Sequence, residues 1–226
     1  VGGGGGGFVP VRTMNQEEVD GEIHGASEIP SPFADVKDET LYRESILKLA
    51  SLGLMNGTDS PVGLVFNPVS DIDRAQFATI MNRLSNRFQE LTEIQSDIVA
   101  EDCDFPDFEP EKWYIEPVTE SCMRALVQGF PDGTFRPIEF INYAEAIAVG
   151  IRAAARYSEE VAVELDRQKS IRTAGEGQWY DAYVDTALNL GIVTEEAWEE
   201  VTERNPWGNA TRGWIADLIA HMPELE

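Results

Sequence analysis

Side chains suited to catalysis are sparse and scattered in this chain. Its two histidines, His24 and His221, lie in an N-terminal tail and at the far end. No Gly-x-Ser-x-Gly elbow and no Cys-His arrangement occurs. Carboxylates are plentiful, but pairs such as Glu159-Glu160 and Glu195-Glu196 fit solvated helix faces better than an acid–base couple. No enzyme is expected. Cys103 and Cys122 are the only cysteines, placed to meet across a loop and the start of a helix near Trp113. In an oxidising compartment such a pair forms a disulfide contributing about 3 kcal/mol, whereas in a reducing one they would be unrelated thiols. The bridge is the expectation. Two cysteines without a nearby histidine make a poor metal site, no cofactor is expected, and Ca²⁺ among the surface carboxylates has no residue pattern behind it.

The stretch most constrained by residue type is Gly129-Phe130-Pro131-Asp132-Gly133-Thr134-Phe135-Arg136-Pro137. Pro fixes φ early in a turn, Asp bonds back to its own backbone, and Gly accepts the positive φ that completes the reversal. Phe130 and Phe135 flank the turn, so the loop can be pinned to a core while Asp132 and Gly133 face water. Such a loop needs helices on both sides to hold it. The 226 residues, 42% of them hydrophobic, can bury a core that supplies them. No stretch reaches the roughly 18 consecutive apolar residues of a membrane span. A formal charge of -24, from 41 acidic and 17 basic residues, repels phosphate backbones, so no nucleic-acid partner is expected.

Residues 1–32 differ from the rest, with Gly2 to Gly7 followed by Phe8-Val9-Pro10-Val11 and a polar acidic run. A glycine tract cannot recover its ordering entropy, so this is a linker or tail. Phe8, Val9 and Val11 are the exception, able to add as a strand to a neighbour's sheet edge or to fill a groove. Val1 rather than Met opens the sequence, as expected of a processed chain or a fragment.

From Phe33 onward three phases coincide. Leu41-Tyr42, Trp113-Tyr114 and Trp179-Tyr180 each open a short amphipathic helix, with Gly53 and Gly191 as C-terminal stops. A loop follows each, over Gly57 to Pro68, Gly129 to Pro137 and Glu195 to Pro206. Asp73, Asn142 and Thr211 then cap a closing helix. The helix from Asp73 is expected to reach Leu91, and that from Asn142 to continue through Val161 and Leu165.

These residues resemble the S-layer homology family. The resemblance rests on Phe33-Ala34-Asp35-Val36 and Phe105-Pro106-Asp107 as openers, the Trp-Tyr pairs, the Gly129 to Pro137 loop, and Asp73-Arg74-Ala75-Gln76-Phe77 and Thr211-Arg212-Gly213 at the closing helices. It implies an all-α fold of three repeats (33–100, 101–170 and 171–226), arranged as a pseudo-threefold single-chain trimer with a central helix bundle and projecting helix-loop prongs. It also implies a non-catalytic module, extracellular and on the cell envelope or surface layer, that attaches an exported protein by holding cell-wall polysaccharide in inter-repeat grooves. Carried over residue by residue, the carbohydrate-binding positions are Arg74, Arg212, Trp113, Trp179, Asp132 and Gly133.

The residue chemistry agrees in part. A planar guanidinium beside the free N–H groups of a helix N-terminus suits a carboxylate-bearing sugar, and indole faces stack on sugar rings. Trp113 and Trp179 nevertheless stand where core anchors would stand, so core packing is expected of them with groove lining as an overlap. Arg74 has a second reading, a bridge to acidic neighbours such as Asp71. Tyr143 takes the arginine position in the second repeat, Leu41 takes the tryptophan position in the first, and the third has neither the Phe-x-Asp opener nor the glycine loop. One or two grooves at most are expected to be competent. The competing reading is a structural subunit that polymerises into a surface layer or filament, a homo-oligomer joined through Phe8 to Val11.

Overall fold

The computed structural model describes residues 30–93, 100, 102–172, 177–205 and 207–225. The expected docking segment Phe8, Val9 and Val11 lies outside the described residues. The chain divides into a unit Val1–Ser31 and a unit Pro32–Glu226, and the elements that follow belong to the second. They are α1 (Arg43–Ser51), β1 (Thr58–Ser60), β2 (Gly63–Val65), α2 (Arg74–Thr92), α3 (Ile115–Met123), α4 (Tyr143–Ala154), α5 (Glu159–Ser170), α6 (Asp181–Asn189), α7 (Glu195–Arg204), α8 (Arg212–Ala220) and a 3₁₀ turn at Pro223–Leu225. The fold is mainly helical. The antiparallel hairpin β1–β2, with Asp59 opposite Leu64, was not expected from the sequence.

Capping chemistry sets the helix ends. Asp73, Asn142 and Thr211 each accept a hydrogen bond from the backbone N–H three residues on, at 2.7, 2.8 and 3.3 Å, and Asn142 with Glu145 completes a reciprocal capping box. The short helices α1, α3 and α6 end alike. The N–H groups of Leu54, Leu126 and Ile192 reach back five residues to the carbonyls of Leu49, Ser121 and Ala187, each at 2.9 Å. That closure needs a left-handed residue just before it, supplied by Gly53 (φ 69°), Ala125 (φ 49°) and Gly191 (φ 68°). Alanine at 125 therefore holds a conformation that costs it about 1 kcal/mol.

Packing is cyclic. Helix α1 lies against α8, α3 against α2, and α6 against α4, so each short helix docks on a closing helix from another part of the chain. The closing helices α2, α4 and α8 meet at their N-termini through a ring of backbone hydrogen bonds. Ile72 N–H donates to Ala210 O (3.1 Å), Ala210 N–H to Ile141 O (2.8 Å), and Ile141 N–H to Ile72 O (3.1 Å). Ile72, Ile141 and Ala210 are buried, so the ring satisfies polar groups that burial would otherwise leave costly.

Three expectations are corrected. The helix from Asn142 does not run through Val161 and Leu165. It ends at Ala154, Tyr157 turns into the core to share a 2.8 Å hydrogen bond with Ser85 and pack on the Phe88 ring, and α5 starts afresh at Glu159. The acidic segment from Glu195 is not a third copy of the loop but helix α7. Thr194 caps it at the Ala197 N–H, 3.1 Å away, and Glu195 and Glu196 occupy the first turn, where the helix dipole favours negative charge. Trp113 and Trp179 are not core anchors. They are 58% and 55% exposed, while the adjacent Tyr114 and Tyr180 are buried.

Glu164 ties α5 to α6. It accepts from Arg167 (2.7 and 2.6 Å), Gln168 (2.8 Å) and Asn189 (2.8 Å). These bonds, with Arg167 foremost, pull its carboxyl down from the usual 4.5 to about 2. A depressed folded-state value means that the stabilisation is complete above the unfolded value and is lost as pH falls toward the folded one. Thermal melts of the wild type should therefore lose stability between about pH 4.5 and pH 2, and Glu164→Gln should lack that component. Parallel pH dependences of the two proteins would contradict the assignment.

Candidate functional site

The site is built from two copies of one arrangement. In the better-preserved copy, the Asp107 carboxylate accepts from two consecutive backbone N–H groups of the loop, Phe135 (2.9 Å) and Arg136 (2.7 Å). The Phe135 carbonyl in turn accepts from Arg74 Nε at 2.9 Å, and the Gln128 carbonyl accepts from Arg74 Nη2 at 3.1 Å. In the other copy, Asp35 accepts from the N–H groups of Phe66 and Asn67, both at 2.7 Å. Arg212 donates to the carbonyls of Phe66 (2.8 Å) and Asn56 (2.9 Å). Opener carboxylate, loop and arginine thus form a continuous chain of hydrogen bonds. The arginine always comes from a closing helix elsewhere in the sequence.

Side chains reinforce each copy. Phe135 packs 5.2 Å from Phe105 and Phe66 5.3 Å from Phe33, centroid to centroid. The Arg74 guanidinium lies over Phe130 and Phe135 at 4.6 and 4.9 Å, and that of Arg212 over Phe66 at 4.8 Å. Only glycine can open the loop so close to the opener ring, because a Cβ on Gly129 would fall 2.5 Å from Phe105 and 2.9 Å from the Thr134 carbonyl. Burial lowers both guanidinium pKa values from their usual level, opposed for Arg74 by Glu145 and for Arg212 by Asp35; both remain cationic.

Three of the grooves among the described residues adjoin these copies. The first, about 570 Å³, is lined by Arg74, Gln128, Phe130, Glu145, Arg152 and Trp179 among others. The second, about 170 Å³, brings Asn56, Gln76, Arg83 and Trp113 to Arg212. The third, about 680 Å³, holds Leu41, Tyr42, Tyr143 and Trp214 with Asp35 and Glu200. Two grooves thus carry a pair of arginines and an exposed indole, in a chain of net charge -24. The third has carboxylates in their place. Size separates the cationic pair, since 170 Å³ falls below the roughly 300 Å³ at which ligand pockets begin.

The expected site residues divide accordingly. Arg74 and Trp179 come together in the first groove and Arg212 and Trp113 in the second. Asp132 and Gly133 line none of the three grooves. Gly133 takes its positive φ of 85°, while Asp132 staples the loop by accepting from Thr134 and from Arg136 at 2.8 Å. Those partners, Thr134 first, hold its carboxyl well below the usual carboxylate range. The acidic partner of Arg74 is Glu145, at 4.0 Å, rather than Asp71, and Asp71 instead accepts from Asn209 at 2.8 Å. Cys103 and Cys122 form a disulfide with Cα atoms 5.8 Å apart. Among the described residues no His, Cys, Asp or Glu cluster could hold a metal ion, and no helix is long and apolar enough to cross a membrane.

Sequence reasoning missed Asp35 and Asp107 as loop clamps, and missed Arg152 and Arg83. Phasing held the signal for the last two, because Arg152 and Arg83 each stand nine residues after Tyr143 and Arg74.

Both clamp-and-arginine copies are built on an Asp-bearing opener and a loop that leads into a capped helix. Residues 32–78 and 104–147 match the S-layer homology domain. The two matching segments each contain a clamp aspartate, its loop and the start of a closing helix. Among relatives, a cell surface protein of Thermoanaerobacter kivui is 32% identical over 123 residues, covering 54% of this chain and 15% of that protein. Cell surface glycoprotein 1 of Acetivibrio thermocellus is 28% identical over 206 residues, covering 86% of this chain and 8% of its own length. An endoglucanase of Bacillus sp. (strain KSM-635) is 24% identical over 182 residues, 78% of this chain and 17% of the enzyme. The chain thus spans less than a fifth of each of these relatives.

Proposed function

We propose that this chain is a non-catalytic module of the cell envelope that attaches an exported protein to the wall by binding wall polysaccharide, with the Arg74–Trp179 groove as its principal site. The observation that carries the reading is that groove's content: two arginines, a half-exposed indole face and about 570 Å³ of space, within a strongly acidic protein. The S-layer homology segments and the surface-protein relatives support a location at the cell surface. The endoglucanase overlaps this chain over 17% of its length, as a wall-attachment module shared between otherwise different proteins would.

We further propose that three repeats, 33–100, 101–170 and 171–226, form a pseudo-threefold trimer behind the tail 1–32. In its support stand the closed ring of Ile72, Ala210 and Ile141 and the cyclic docking of α1, α3 and α6. The third repeat keeps its helices and loses the binding loop.

Sedimentation with polysaccharide-bearing cell-wall sacculi tests the attachment. The wild type should pellet with the sacculi, and Arg74→Ala with Arg212→Ala should release it by tenfold or more, a loss of about 1.4 kcal/mol or greater. A wild type left in the supernatant sinks the reading. The self-assembly reading draws on the exposed apolar side chains Val69, Ile138, Phe140 and Trp207. It would prevail if sacculi were not bound and concentration-dependent assembly were lost on deletion of residues 1–11, which removes Phe8, Val9 and Val11.

A further inference from the structure

Two arginines face the principal groove, and their hydrogen-bonding states differ. Arg74 has committed Nε and Nη2 to the carbonyls of Phe135 and Gln128, its Nη1 lies 4.0 Å from Glu145, and its side chain is only 12% exposed. It holds the loop. Arg152, about two turns along the same face of α4 from Glu145, uses only Nε, which donates to the Ala148 carbonyl of its own helix at 3.2 Å. Its guanidinium lies 5.9 Å from the Tyr183 ring, whose centroid is also 5.6 Å from Lys169 Nζ. Both terminal nitrogens of Arg152 are without a protein hydrogen-bond partner among the described residues. A half-buried guanidinium with two unused donors, aimed at the lining of a groove, is set to receive an oxyanion bidentately.

We infer that Arg152, not Arg74, is the group that grips the anion of the bound saccharide, while Arg74 acts as a positioning residue that locks the loop wall. The ligand class follows from the neighbours. A sugar ring stacks on Trp179 and carries a carboxylate or phosphate oxyanion toward Arg152. The inference rests on the wall-binding reading and deepens it. Arg83, the counterpart of Arg152 in the smaller groove, already donates to the Leu54 carbonyl at 3.3 Å, so the division of labour is sharpest in the larger of the two arginine-bearing grooves.

The test compares the whole chain with Arg152→Gln, Arg152→Lys and, as a control for lost charge alone, Lys37→Gln on the exposed surface. Sacculus affinity, its dependence on salt, and the melting temperature are read for each. Arg152→Gln should bind about tenfold more weakly or worse, with a flatter salt dependence and an unchanged melting temperature. Arg152→Lys, which keeps the charge but not the planar fork, should recover only part of the affinity, and Lys37→Gln should keep all of it. In separate arms, oligogalacturonate and oligomeric glycerol phosphate compete against the wild type. Displacement by the first identifies a carboxylate and by the second a phosphate, and displacement by neither overturns the inference. So does Arg152→Gln binding like the wild type, or a loss that Lys does not rescue and that tracks a lower melting temperature. A wild type that never binds sacculi fails the attachment reading itself, which separates the two failures.

Discussion

Replacing Asp107 with alanine is expected to destabilise the protein by about 3 kcal/mol and to abolish binding in the principal groove. The carboxylate satisfies the Phe135 and Arg136 N–H groups at once, and hydrogen bonds to a charged group contribute about 1.5–3 kcal/mol each. Alanine leaves both donors to water on the outer side and to nothing on the inner side, where Phe135 is buried against Phe105. The loop then loses the geometry that presents the Phe135 and Gln128 carbonyls to Arg74. Denaturant unfolding of Asp107→Ala, Arg74→Ala and the double variant checks this directly. Because the three groups form one hydrogen-bonded chain, the double variant should cost well under the sum of the singles. Full additivity would mean that the clamp and the arginine act independently.

Reduction of the Cys103–Cys122 bridge should have a comparable effect. Closing a loop of 19 residues removes chain entropy from the unfolded state equivalent to about 3 kcal/mol. At about 2–4 °C of melting temperature per kcal/mol for a domain of this size, that is a fall of roughly 10 °C. The bridge joins the segment before the Phe105 opener to the end of α3, the helix that docks on α2. Cys103→Ser with Cys122→Ser should therefore melt markedly lower than wild type, and treatment with a reductant should lower the wild type alone. Equal melting of reduced and oxidised protein would show that the link contributes nothing.

The sequence exposed what local chemistry decides. Caps at Asp73, Asn142 and Thr211, left-handed stops at Gly53 and Gly191, and the pinned turn at Asp132-Gly133 all follow from single residue types, and they are where periodicity placed them. Orientation was harder to read. In Trp113-Tyr114 and Trp179-Tyr180 two adjacent aromatic residues precede a helix, and nothing in the spacing says which ring turns inward. Tyr was the buried member both times, which freed the indoles for the grooves. Helix α7 carried its own start signal in Thr194-Glu195-Glu196, but phase agreement with two real loops outweighed it. The hydrogen bonds of Arg74 were not legible at all, since they end on backbone carbonyls more than fifty residues away and main-chain acceptors leave no mark in a sequence.

The ring that joins Ile72, Ala210 and Ile141 bears on how the chain is made. Helix α1, near the start, rests on α8, near the end, where Ser45 Oγ donates to Asp217 and Lys48 Nζ to the Ala220 carbonyl, both at 2.7 Å and across 172 residues. A chain emerging from a ribosome or a secretion channel presents α1 long before its partner exists. Ile46 and Leu49, fully buried in the finished protein, stay exposed until then. Contacts this distant are slow to form and late to reward the entropy spent on them. Residues 43–220 thus stay unfinished until α8 has been delivered, which suits passage through a narrow pore and defers their cooperative closure to that point.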